Sequence, residues 1–317
     1  MNCKICKQET NLLHEGLFDD RYGYEGQFDI YQCPNCGFGQ IYPELGKDQM
    51  ASLYTNFYPR KNITAEQVKN SNRYRAGKYF KLKSWLMGWD NTCHYQIEPN
   101  SKVLDVGCGN GSSLFEIQSQ QAEAYGIEED RNIEPIAKEL DLDIFFGSLE
   151  NSDFPDNSFD YITMSQVLEH IQDPLNFLKL AVNKLSPGGK IIMSFPNKDS
   201  FYRVISKEKW INWHVPYHLN FFSEKSLNLL ADETGLKIEK IRTITPNCWV
   251  ALQLRNMREE DIEGEKGKIW HPIETNNRPD VLWASFFHIL HYLCIPINRS
   301  LDLMKKGDSF LVVFSKE

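Results

Sequence analysis

The chain has 317 residues, of which 41% are hydrophobic and 25% charged, with a net charge of -8 and a pI near 5.6. That length accommodates one large domain or two smaller ones, and the composition is that of a soluble globular protein. The acidic balance supplies no general field for phosphate backbones, which disfavours a nucleic-acid substrate, although Arg203, Lys207 and Lys209 form a local basic patch. The opening residues, MNCKICKQET, contain no apolar stretch of the secretory kind, so a cytoplasmic protein is expected.

Four of the eight cysteines fall in two CxxC pairs, Cys3–Cys6 and Cys33–Cys36. In a reducing compartment this arrangement favours metal over disulfides. Each CxxC turn offers two thiolates from one knuckle, and two knuckles complete the tetrahedral four-sulfur set of a structural zinc ion, with no open position for catalysis. Gly37 lets the backbone turn behind the second pair. Residues 1–45 therefore read as a zinc ribbon with FDIYQC as one strand, too small to build a large core, so that the metal is expected to supply folding energy. Residues 46–95 read as a helical connector, with Tyr74, Lys78 and Leu82 on one helical side. The cluster Arg73, Arg75, Lys78, Lys81 and Lys83 is expected to be a solvated face, with contact to an anionic substrate as the alternative.

The stretch KVLDVGCGNG (102–111) is an apolar strand running into a glycine turn, and a helix begins near Ser112. Strand, glycine turn and helix hold a nucleotide-like ligand at the helix N-terminus. Ser112 stands where a dinucleotide fold would want a third glycine, and Asp105, just before the first glycine, would repel a pyrophosphate but suits a ligand with an amino group. The next strand, EAYGIE, ends on Glu128, placed to accept both hydroxyls of a ribose. LDIFF is a third strand and FDYITM a fourth. Ser165, Gln166, Glu169 and His170 follow at its carboxyl end, where open α/β sheets bind ligands. Asp173 and Pro174 start a helix as cap and first residue, and KIIMSFPN is a fifth strand.

The series VLDVGCGNG, strand-ending Glu128, FPDNSFDYITMSQVLEHIQDP and LSPGGKIIMSFPN, in this order, resembles the class I S-adenosylmethionine-dependent methyltransferases over roughly residues 95–317. The resemblance implies an α/β, doubly wound, Rossmann-like sheet of seven strands, the last antiparallel and slotted between the fifth and sixth, with LKIEKIRTI and DSFLVVFSK as strands six and seven. It implies S-adenosyl-L-methionine as cofactor. Asp105, Gly107, Cys108 and Gly109 would hold its methionine part, Asp105 through water or the ammonium group. Glu128 would hold the ribose, Glu129 the adenine edge, and Ser148 and Leu149 the adenine, although many members carry Asp where this chain has Ser148. Gln166 and His170 would lie near the sulfonium, with a structural helix-start role as the alternative for His170. The methyltransferase domain would run over 96–317.

Lys209–Phe222, KWINWHVPYHLNFF, falls in a substrate-side insert over about 197–225. It resembles the W…P-x-H-L-x-x-F-S run of zinc-ribbon methyltransferases associated with polysaccharide and cell-envelope products, matching at Trp213, Pro216, His218, Phe222 and Ser223. Ser223 would cap the next helix. His218 is a candidate general base or a residue that fixes the loop, Tyr217 would orient a hydroxyl, and His214 matches no position of the run. Trp210 and Trp213 suit the flat faces of sugars and equally a core. The expected reaction is O-methylation of a sugar or glycan, nucleotide- or lipid-linked. The alternatives are C-methylation of a nucleotide-linked deoxyketosugar, or RNA or protein methylation targeted by the ribbon.

The run Val281–Asn298 has no formal charge and is broken by His288, His291 and Pro296. A C-terminal apolar helix over about 280–305 is expected, as a buried or lid element or as a surface-embedded helix in peripheral contact with the inner membrane face; the run is at the lower length limit for a span.

Overall fold

The computed structural model describes residues 1–58, 64–72, 78–270, 286 and 289–317. Arg73, Tyr74 and Arg75 of the basic face, and residues 281–285, 287 and 288 of the apolar run, lie outside the described residues.

Strands β1 (Asn11–Leu17), β2 (Phe28–Gln32) and β3 (Gly39–Tyr42) form an antiparallel ribbon. Helices α1 (Lys47–Asn56), α2 (Ala65–Ser71) and α3 (Phe80–Met87) follow. The main domain then alternates: β4 (Lys102–Val106), α4 (Ser112–Gln118), β5 (Glu123–Glu128), α5 (Glu134–Glu139), β6 (Ile144–Phe146), β7 (Phe159–Ser165), α6 (Pro174–Lys184) and β8 (Leu185–Pro196). After α7 (Phe201–Ser206) come the short β9 (Asn220–Phe221), α8 (Glu224–Thr234), β10 (Leu236–Ile244), α9 (Asn247–Asn256), α10 (Ile295–Leu303) and β11 (Ser309–Lys316).

The seven-stranded sheet has the order β10-β11-β8-β7-β4-β5-β6. Strands β4 to β8 are parallel, and β11 runs antiparallel between β8 and β10. This is the expected Rossmann-like sheet, down to the inserted last strand. Its central strands are covered on both faces, which is why they read as continuous apolar runs rather than alternating ones. Asp173 caps α6 by accepting from the Asn176 N–H at 3.1 Å, and Ser223 caps α8 in a reciprocal box with Ser226.

The ribbon does not stand alone. Its fourth strand is β9, paired with β3 at Gly39–Phe221 and Gln40–Asn220. Phe38 meets Phe222 edge to face at 5.4 Å, and the Ser223 hydroxyl donates to the Cys36 carbonyl at 3.1 Å. The insert thus supplies a strand to the ribbon sheet. At its other end it is tied to the main sheet by Asp308, a buried carboxylate just before β11 that accepts from Ser200 Oγ (2.6 Å), Trp210 Nε1 (3.0 Å) and Asn212 Nδ2 (3.0 Å). Trp210 and Trp213 are therefore core residues: their indole N–H groups serve Asp308 and the Lys207 carbonyl, and neither ring is open to a sugar.

Helix α10 is built inside out. It buries Asn298, Arg299 and Asp302, with the Arg299–Asp302 ion pair at 2.8 Å, and leaves Ile297 and Leu303 exposed. Ile289 and Leu293 just before it are exposed too. Among the described residues no helix is long and apolar enough to cross a membrane.

Candidate active site

The cofactor residues gather at the carboxyl ends of the parallel strands. Gly107, Gly109 and Gly111 all have positive φ, a turn that other residues adopt at a cost. A Cβ on Gly107 would sit 2.7 Å from Val167 Cγ2, whereas one on Gly109 would meet nothing within 4 Å, so the loop opens at Gly109. Glu128, at the end of β5, locks this loop: one carboxylate oxygen accepts from the Gly109 N–H at 2.8 Å and the other from Asp130 N–H at 2.9 Å. Burial raises its pKa, and these N–H groups oppose the shift.

Asp105 is buried and accepts from Thr163 Oγ1 at 2.5 Å, with its pKa raised by desolvation. Cys108 turns its sulfur into the core beside Gly126, so only its backbone faces the loop. Leu149 likewise points into the core, Ser148 begins the turn before it, and Glu129 is exposed. Gln166 is held at φ +57 with its N–H on the Ser194 carbonyl at 2.8 Å. Its Nε2 and the neighbouring Ser165 hydroxyl are buried without hydrogen-bond partners. An open glycine turn and unpaired polar atoms across from it fit a ligand with its own donors and acceptors, as the methionine part of S-adenosylmethionine has.

The four candidate catalytic residues meet in one chamber. His170 and His218 lie edge to face at 4.8 Å between ring centres, His214 and His218 at 4.9 Å, and His214 stacks on Tyr217 at 4.7 Å. His214, which sequence comparison set apart, is as much a member as His218. It occupies an unfavourable backbone conformation (φ +40), and its Nε2 is buried and unpaired. Nδ1 of His218 donates to the Asn212 carbonyl at 2.8 Å, and Nδ1 of His170 to the Tyr217 carbonyl at 2.9 Å. A carbonyl can only accept, so both rings carry their proton on Nδ1 and present an unprotonated Nε2. Burial drives the pKa of His170 down to about 4 and those of His214 and His218 well below the ordinary value, with Arg21 adding to each.

Arg21, Tyr22, Tyr54 and Tyr58 of this chamber carry no signal in the sequence. Tyr22, from the ribbon loop, meets Tyr217 edge to face at 5.3 Å, and Tyr54 and Tyr58 each approach it at 5.6 Å. Tyr54 Oη is 3.2 Å from His170 Nδ1. Arg21 stacks on Trp270 at 4.1 Å and donates to the Ile211 carbonyl. Glu169 is fully buried, neither carboxylate oxygen has a hydrogen-bond partner, and burial pushes its pKa up to about 8. The wall is assembled from the ribbon loop, α1 with the turn after it, and the insert, around a glutamate that the sequence already places at the carboxyl end of β7.

The sulfurs of Cys3, Cys6, Cys33 and Cys36 all lie within 4.8 Å of one another, with Cys3–Cys36 at 3.6 Å and Cys6–Cys33 at 3.3 Å. Zn–S bonds of about 2.3 Å in a tetrahedron imply S–S edges of about 3.8 Å, so the cluster fits such an ion.

A family model described as a methyltransferase domain matches residues 72–241, more than half of the chain. The chain is 28% identical over 116 residues to the demethylmenaquinone methyltransferase of Lysinibacillus sphaericus, covering 33% of this chain and 50% of that one. It is 29% identical over 115 residues to the mitochondrial ubiquinone biosynthesis O-methyltransferase of Schizosaccharomyces pombe, covering 33% and 41%. The chain thus spans half or less of the length of these two relatives. A crystal structure of an S-adenosylmethionine-dependent methyltransferase from Thermotoga maritima overlaps 80% of this chain and 98% of its own at a TM-score of 0.45 and 17% identity. With the glycine turn, Glu128 and the seven-stranded sheet in place, the chain belongs to the class I S-adenosylmethionine-dependent methyltransferases.

Proposed function

We propose that this methyltransferase O-methylates a sugar or glycan, nucleotide- or lipid-linked, in the assembly of cell-surface polysaccharide or glycolipid, and that the four ribbon cysteines hold a structural zinc ion. One observation carries the acceptor side of this reading: His170 and His218 present unprotonated Nε2 atoms under a wall of tyrosines. These are hydrogen-bond acceptors without donors, the complement of a ligand rich in hydroxyl groups. The tyrosine rings offer flat apolar faces with polar tips, which suits a sugar ring.

The acceptor hydroxyl gives its proton to water, its oxygen bonds to the methyl carbon, and the carbon–sulfur bond breaks with its electrons left on sulfur, giving S-adenosylhomocysteine. Alignment supplies much of the rate, and His218 and His170 stand at the hydroxyl where its proton is lost.

The test is incubation with isotopically labelled S-adenosylmethionine and panels of nucleotide sugars, glycans and phenolic or quinol acceptors, read by mass spectrometry. Label on a sugar oxygen is the expected result. Label only on phenolic or quinol acceptors overturns the sugar reading while leaving the enzyme class intact. His218→Ala is expected to keep S-adenosylmethionine binding and to lose transfer.

A further inference from the structure

We infer that Glu169, His170 and His218 form a second metal site, which takes a divalent cation of the zinc class beside the acceptor. One ligand atom from each of the three lies within 4.8 Å of the other two. The arrangement has the outer hydrogen bonds of a metal site: each histidine donates Nδ1–H to a backbone carbonyl, which fixes the ring and aims the lone pair of Nε2 away from it. Two imidazoles and one carboxylate suit zinc and similar ions.

Glu169 is what demands an occupant. Other buried carboxylates of this fold have partners: Glu116 is 2.7 Å from His94 Nε2, Asp105 takes the Thr163 hydroxyl at 2.5 Å, and Asp308 takes three donors. Glu169 has none on either oxygen, although the residue is wholly buried. A buried carboxylate is normally paired, and a cation is the one partner that satisfies it and both Nε2 lone pairs together. A sugar cannot reach oxygens closed to solvent, but a small cation can sit among them.

Three protein ligands leave a tetrahedral ion one open position, the arrangement of catalytic rather than structural sites. One carboxylate and two neutral imidazoles leave the ion a single positive charge, which an acceptor alkoxide neutralises. The inference rests on methyl transfer to a hydroxyl and states how that hydroxyl is activated: its oxygen binds the cation, its proton leaves to water, and the alkoxide attacks the methyl group.

Elemental analysis of the full-length protein, prepared with zinc and then desalted, is expected to give two metal equivalents per chain, and Glu169→Gln and His218→Ala are each expected to give one. Cobalt substitution assigns them. The ribbon site gives thiolate-to-cobalt charge transfer, and the second equivalent adds only weaker ligand-field bands, which His218→Ala removes while the thiolate bands stay. The retained thiolate bands also show that the variant is folded. A single equivalent with thiolate bands alone overturns the proposal, as does a second equivalent that survives both substitutions. Neither result touches the acceptor assignment, which the labelling experiment reads separately.

Discussion

Removing the carboxylate of Asp308 should cost more than any surface change, because one side chain serves three donors. Asp308→Ala leaves Ser200 Oγ, Trp210 Nε1 and Asn212 Nδ2 without their acceptor in a buried setting. Each orphaned donor costs about 1–3 kcal/mol, so the three together cost roughly 3–9 kcal/mol, a large part of a typical total stability of about 5–15 kcal/mol. Asp308→Asn keeps one oxygen acceptor, and the Asn212 amide can rotate to accept from the new NH2 group, so it should lose only about 1–2 kcal/mol. Urea unfolding followed by tryptophan fluorescence reads both.

Burial raises the Asp308 pKa from 3.8 to about 6, so the folded state holds more protons than the unfolded chain between those values. The contribution of this group therefore rises as pH falls from about 7 to about 4, by at most about 3 kcal/mol, and is lost again as pH rises through 6. The stability difference between the parent and Asp308→Asn should widen in the parent's favour over that window. Asn212 also accepts from His218, so Asp308→Asn should bind S-adenosylmethionine normally and transfer methyl groups more slowly. An Asp308→Ala protein with the parent's urea midpoint and slope would refute the hub.

Gly107→Ala must place a Cβ 2.7 Å from Val167 at φ +71, and should lose roughly 1–2 kcal/mol in a thermal melt and weaken S-adenosylmethionine binding in calorimetry. Tyr217→Phe removes a buried hydroxyl without a partner, so thermal stability should hold or rise by up to about 1 kcal/mol while methyl transfer drops roughly tenfold; unchanged transfer would take Tyr217 out of the acceptor site. Cys33→Ser, which breaks the proposed ribbon metal set and leaves Glu169, His170 and His218 in place, should lower the melting temperature and methyl transfer before it weakens cofactor binding, because β9 belongs to the ribbon sheet; calorimetry with S-adenosylmethionine and a transfer assay read the order. If the outward apolar face of 289–303 rests on a membrane, anionic liposomes should co-sediment the protein, and a Leu293→Glu, Ile297→Glu double variant should stay in the supernatant.

The cofactor half was legible because its signals are local. A buried parallel strand is an apolar run, a turn with positive φ needs glycine, and Asp173 with Pro174 or Ser223 with Ser226 marks a helix start within four residues. The acceptor half is made by contacts between distant segments. Strand β9 is only two residues long and exists because β3 offers it an edge, so no periodicity could announce it or show that the ribbon closes over the insert. Tyr22 and Tyr54 are ordinary aromatic residues until the ribbon loop and α1 bring them against Tyr217. The apolar run before β11 shows the same limit from another side. Its composition predicts a helix but not which face turns inward, and here the polar triad Asn298, Arg299 and Asp302 wins the interior because Tyr202, Thr245 and Asn247 supply its hydrogen bonds. Turning the helix over would leave Tyr202, Thr245 and Asn247 buried without these partners at a cost of several kcal/mol, more than leaving Ile297 and Leu303 in contact with water, so satisfied polarity decides the orientation and leaves an apolar surface outward.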